Sequence, residues 1–112
     1  MKDIELKFSC TGFVFWARRK NDSKWYSWTK FSEIRENEQL ANIIKFILAF
    51  NTERTFSYAL PDWLNTKVSF LNAILTLEAI LKTDPNIEAV HISEDLMKIC
   101  TLYFPSEGEC KK

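Results

Sequence analysis

Apolar and polar residues alternate from the start of the chain, with Ile4, Leu6, Phe8 and Cys10 on one side and Asp3, Glu5, Lys7 and Ser9 on the other. A period of two marks a strand with one dry and one wet face. The run from Phe13 to Arg19 and the run from Lys24 to Trp28 are again rich in strand formers, and Lys20-Asn21-Asp22-Ser23 reads as the loop between them. Thr11-Gly12 either turns the first strand back into the second or leaves Gly12 as a bulge in one long strand, since Thr is a poor residue where a tight turn needs positive φ. The hairpin places Phe8 opposite Phe15 and Leu6 opposite Ala17. A four-residue second loop then sets Ala17 against Tyr26 and Phe15 against Trp28 on one face, with Arg18 against Trp25 and Trp16 against Ser27 on the other.

The period changes after Ser32, a plausible helix cap followed by Glu33. Leu40, Ile43, Ile44, Ile47 and Leu48 follow helical spacing, and Phe46 and Phe50 widen the stripe. Only Glu38, Asn42 and Lys45 keep a polar strip, so the second half of this helix is expected to be buried on most sides, with Asn51 as its end. Thr55 to Leu60 alternates and predicts a short fourth strand before Pro61. A second long helix, opened by Asp62 or Thr66, runs to about Thr83, because Pro85 disfavours helix at Asp84. Its polar line of Ser69, Asn72 and Thr76 is uncharged, which places the helix between layers or against a second copy of the chain. Ile87 to Ile92 reads as a strand. Ser93-Glu94-Asp95 caps a last helix that carries Leu96, Ile99, Cys100 and Tyr103, and a strand over 99–104 is the competing reading.

The element order β-β-β-α-β-α-β-α predicts an α+β fold: a largely antiparallel sheet of four to five strands, opening with a three-stranded meander, with two long apolar helices packed on it. A chain of 112 residues makes one domain, assigned to residues 1–104, with 105–112 as a flexible tail.

Composition narrows the function classes. Basic and acidic residues balance at fifteen each, so no whole-chain field favours nucleic acid or membrane. The distribution is uneven: residues 18–35 hold six basic side chains against two acidic ones, and residues 84–112 hold six acidic against three basic. Such asymmetry suits an acidic partner or front-to-back self-association. Three scattered cysteines, Cys10, Cys100 and Cys110, indicate neither a disulfide framework nor a zinc site, and a reducing cytoplasm fits them. Charges at Lys2, Asp3 and Glu5 argue against a signal peptide, and no apolar run is long enough to span a membrane.

Candidate chemistry is sparse. The single histidine, His91, has Cys100 nine residues on, a hydrolase pair only if the fold joins them and a third group orients the base. Acidic pairs such as Glu36/Glu38 and Glu94/Asp95 fall at helix starts or on wet faces rather than at metal-ligand spacing, and Gly12 and Gly108 lie in no phosphate-binding motif. We therefore expect no enzyme, no cofactor and no metal. What stands out is the ribbon of Trp16, Trp25, Tyr26 and Trp28 interleaved with Arg18, Arg19, Lys20 and Lys24. Both faces of that ribbon carry large apolar groups: one can be covered by the rest of the domain, and the other lies either under a helix, which makes the Trp residues core, or against something from outside. Trp16, Arg18, Arg19, Lys20 and Trp25 are the expected contacts of a protein partner. The expected class is a small bacterial or phage protein that occludes another protein, as immunity proteins, antitoxins and inhibitors do, by an analogy of type and not of sequence. Single-stranded nucleic acid stacking on the same ribbon is the alternative, and the His91/Cys100 hydrolase is the second.

Overall fold

The computed structural model describes residues 1–57 and 63–103, and side chains within 1–49 and 68–101. Strand β1, Ile4–Ser9, pairs antiparallel with β2, Val14–Arg19, and β2 pairs antiparallel with β3, Tyr26–Ser27. A 3-10 turn, Trp28–Lys30, leads to the short helix α1, Ser32–Arg35, and then to α2, Glu38–Ser57, and α3, Trp63–Thr83. Strand β4, Ile87–Val90, and helix α4, Ser93–Tyr103, complete the order. The fold is α+β, with one four-stranded sheet in the order β3-β2-β1-β4.

The meander forms as the alternation predicts. Phe8 faces Phe15, Leu6 faces Ala17, Ala17 faces Tyr26 and Trp16 faces Ser27. The β1–β2 connection is a turn over residues 10–13, and positive φ falls on Gly12 and Phe13, so Thr11 is spared the left-handed region it tolerates badly. Phe13 accepts that conformation while buried edge-on to Phe8, 5.1 Å between ring centres. Trp28 does not continue β3 opposite Phe15: it opens the 3-10 turn, where the Ser27 hydroxyl accepts from the Thr29 amide.

The sheet is mixed, not largely antiparallel, because β4 joins β1 in parallel, Ile4 opposite Ile87 and Lys7 opposite Val90. The side chain two residues before β1 shows why. Lys2 Nζ donates to the carbonyls of Leu81, Asp84 and Ile87 at 3.1, 2.7 and 3.0 Å, holding the start of β1 beside the end of α3 and the start of β4. Two strands that start at the same end must run the same way.

The helices differ from expectation in three respects. The polar break at Glu36-Asn37 separates α1 from α2, and Asn37 caps α2 by accepting from the Leu40 amide while its own amide donates to Asp84. Helix α2 does not end at Asn51 but runs to Ser57, which takes the first three residues of the expected strand 55–60; Tyr58 to Leu60 lie outside the described residues. Asn, Thr, Glu and Arg at 51–54 lower helix propensity only by tenths of a kcal/mol each, and the next residue that forbids a helix is Pro61. Helices α2 and α3 are long but not apolar throughout: Leu40, Ala41, Ile44 and Ile47 on one, and Phe70, Ala73, Ile74, Leu77 and Leu81 on the other, face the core, while Phe46, Ala49, Val68 and Leu75 are exposed. Among the described side chains of its expected second half, Asn42, Lys45, Phe46 and Ala49 are exposed, so α2 is not buried on most sides there. Helix α3 ends at Thr83 and α4 is a helix to Tyr103; Asp62, one of the two expected openers of α3, and the assigned tail, 105–112, lie outside the described residues.

One core joins these parts. Ile4, Leu6, Phe8, Phe15, Ala17 and Ile87 are fully buried on the inner side of the sheet, clustered with the inward residues of α2, α3 and α4.

Candidate functional site

Among the described residues, no helix or second sheet is packed on the outer side of the sheet. Glu5, Lys7, Ser9, Val14, Trp16 and Arg18 each remain partly exposed, in strict alternation with the sealed inner positions. The expected register already implies two pairs across this face, Glu5 with Arg18 and Lys7 with Trp16, and both form.

Trp25 lies over this face although it is not itself in β3. Its ring centre is 4.3 Å from Lys7 Nζ and 4.3 Å from Arg18 Cζ. Arg18 is fixed in turn, since its Nε donates to Glu5 Oε1 at 2.7 Å. An anchored chain of contacts therefore runs from β1 through β2 to the loop: Glu5 holds Arg18, and Arg18 and Lys7 hold Trp25. Cations over an indole face contribute roughly 0.5–2 kcal/mol each depending on desolvation, and they restrict the rotamers of a side chain that is otherwise free to swing.

The five expected contact residues do not form one patch. Trp16, Arg18 and Trp25 share the outer face. Lys20 reaches the far edge of the sheet, with Nζ 3.3 Å from Glu88 of β4. Arg19 alternates to the other side, where its guanidinium lies 5.4 Å from the Phe31 ring and pairs with Glu33 at 3.0 Å and Asp3 at 3.8 Å. A hydrogen bond from its own backbone amide and then that from Arg19 hold the Glu33 carboxyl below its ordinary value of 4.5. Lys7 and Glu5 were readable only as wet-face residues; the register carried the signal that they meet Trp16 and Arg18.

The basic excess of residues 18–35 is largely balanced at short range. Arg18, Arg19, Lys20 and Arg35 each have a carboxylate partner, whereas Lys24 and Lys30 have none among the described residues. Lys30 instead lies 6.0 Å from the Tyr26 ring. Trp28 is buried and belongs to the core.

His91 lies elsewhere, at the end of β4, exposed and with φ 56°, a region His enters more readily than most residues. It borders a cleft of about 590 Å³ beside Lys2, Leu81, Glu88, Ser93 and Glu94. Cys100 does not line that cleft; it is buried on the core side of α4. Among the described residues no group of three or more His, Cys, Asp or Glu side chains is placed to hold a metal ion, and no helix is long and apolar enough to cross a membrane.

Comparison of the chain with family models, with curated proteins and with solved structures finds no match in any of the three.

Proposed function

We propose that this is a non-enzymatic, cytoplasmic protein-binding module of the immunity, antitoxin or inhibitor type, which occludes a partner protein with the outer face of its sheet. The observation that carries the reading is Trp25 held against Lys7 and Arg18, each 4.3 Å from its ring centre, on a sheet face whose outward residues stay partly exposed among the described residues. Aromatic side chains fixed before contact bind with little further loss of rotamer freedom, which is the property that makes a few residues dominate an interface. Trp16 and Trp25 are the anchors, and Arg18 is their support. Lys20 forms the rim toward β4, and Arg19 lies behind the sheet at the margin of the contact.

The same geometry favours a protein over single-stranded nucleic acid. A base-stacking platform needs free ring faces and unpaired cations along a backbone track. Here Trp25 is already engaged by two cations, and the triplet Arg18-Arg19-Lys20 is fully paired with Glu5, Glu33 and Glu88. Cys10 is exposed and its thiol is free, in keeping with a reducing compartment.

The reading is tested by purifying the full chain with its partner from the native host, reconstituting the pair from pure components, and mapping amide hydrogen exchange. Protection is expected in β2 and at residues 24–27. Protection confined to the His91 cleft, or a partner that is nucleic acid, would overturn it.

A further inference from the structure

Helix α3 turns an uncharged side outward. From Val68 to Ala79 the exposed residues are Val68, Ser69, Asn72, Leu75, Thr76 and Ala79, without one charge among them, although 27% of the chain is Asp, Glu, Lys or Arg. Val68 is 55% exposed and Leu75 63%, in a fold whose core side of the same helix is sealed by Phe70, Ala73, Ile74, Leu77 and Leu81. The helix is therefore not sandwiched between layers, and among the described residues nothing covers its outward apolar side chains.

We propose that this side of α3 is the contact of a symmetric homodimer, two copies of the helix packing antiparallel about a twofold axis between residues 73 and 74. Two properties of the stripe commit it to a second copy. The first is charge. A twofold contact brings a surface against itself, so any charge in it meets its own like, and an uncharged side is the one that can self-associate without repulsion. Exposed Lys82 is the charge that lies at the end of this side, and in the antiparallel pairing the two Lys82 side chains fall at opposite ends of the contact, so neither meets its own like.

The second property is shape. Positions 68, 72, 75 and 79 are symmetric about the midpoint of the helix segment, and their sizes alternate as Val, Asn, Leu, Ala. Antiparallel pairing sets Val68 against Ala79 of the second copy and Leu75 against Asn72 of the second copy. Each larger apolar side chain thus meets a smaller one, the arrangement in which facing helices interdigitate at close distance. Only a few side chains take part, so the dimer forms at micromolar to millimolar chain concentration and is not obligate.

Sedimentation of the full chain across that concentration range tests the inference. A monomer–dimer equilibrium without larger species is expected. Leu75→Glu raises the dissociation constant at least about 30-fold, and Leu75→Asn also weakens the dimer. The swap Asn72→Leu with Leu75→Asn restores association, because it keeps a large residue opposite a small one. All these positions are exposed, and circular dichroism with thermal melting confirms that each variant is folded. A monomer at every concentration, a dimer indifferent to Leu75→Glu, or a swap no better than Leu75→Asn alone would overturn the proposal. A dimer abolished by Trp16→Ala but not by Leu75→Glu would place the contact on the sheet and overturn it equally.

Discussion

Glu5 and Arg18 stand directly opposite each other on β1 and β2, joined Oε1 to Nε at 2.7 Å, and the guanidinium held in this way lies 4.3 Å from the centre of the Trp25 ring. A carboxylate on the first strand thereby sets the position of an indole on the second loop. Glu5→Gln is expected to free Arg18 and widen the motion of Trp25. Acrylamide quenching of tryptophan fluorescence should rise, while stability falls by no more than about 1 kcal/mol, because both side chains are partly solvated.

Lys2 makes a different kind of contact, one ammonium serving three carbonyls at the end of α3 and the start of β4. A cation there also opposes the negative end of the helix dipole. Lys2→Met keeps the stem and removes the donors, so unfolding free energy should drop by about 1–2 kcal/mol. Amide exchange should quicken at residues 81–90 before it does so in β2.

The inner face of the hairpin rests on Phe8, which touches Phe13 at 5.1 Å and Phe15 at 4.9 Å between ring centres. All three are buried. Phe8→Ala is expected to destabilise the fold by about 3–5 kcal/mol, measured by urea unfolding, through lost apolar burial and the cavity left behind.

Glu33 supplies a pH dependence whose sign is fixed. Its folded carboxyl lies below 4.5, so the folded form binds its proton less readily than the unfolded chain does. The stabilisation is fully present above the unfolded value and is lost as pH falls through the folded one. Urea midpoints compared between wild type and Glu33→Gln should converge as pH drops below 4.5 and separate above it. A gap that widens in acid would contradict this assignment.

The sequence made the hairpin legible because alternation, register and the single nearby glycine all agree on it. Phe8 opposite Phe15 follows from counting residues on either side of Gly12, and Ala17 opposite Tyr26 from counting across the second loop. Parallel pairing of β4 left no local trace. Residues 87–90 are apolar on both faces, and the direction in which they join the sheet is decided by where α3 delivers them and by Lys2, which bonds residues some eighty positions away. The continuation of α2 past Asn51 was hidden for a related reason: a residue that tolerates a helix end does not impose one. For the ribbon, alternation alone puts Arg19 on the side opposite Trp16 and Trp28 on the side of Phe15, whereas the end of β3 at Ser27 and the 3-10 turn that takes Trp28 out of the sheet left no local signal.

The central claim is that Trp16 and Trp25 are anchors for a partner protein and are not props of the fold. The direct measurement is calorimetric titration of that partner into the wild-type chain, Trp16→Ala and Trp25→Ala, alongside the melting temperature of each. Either variant is expected to lose about 2 kcal/mol or more in binding with melting nearly unchanged. Unaltered affinity, or variants that no longer fold, would contradict it.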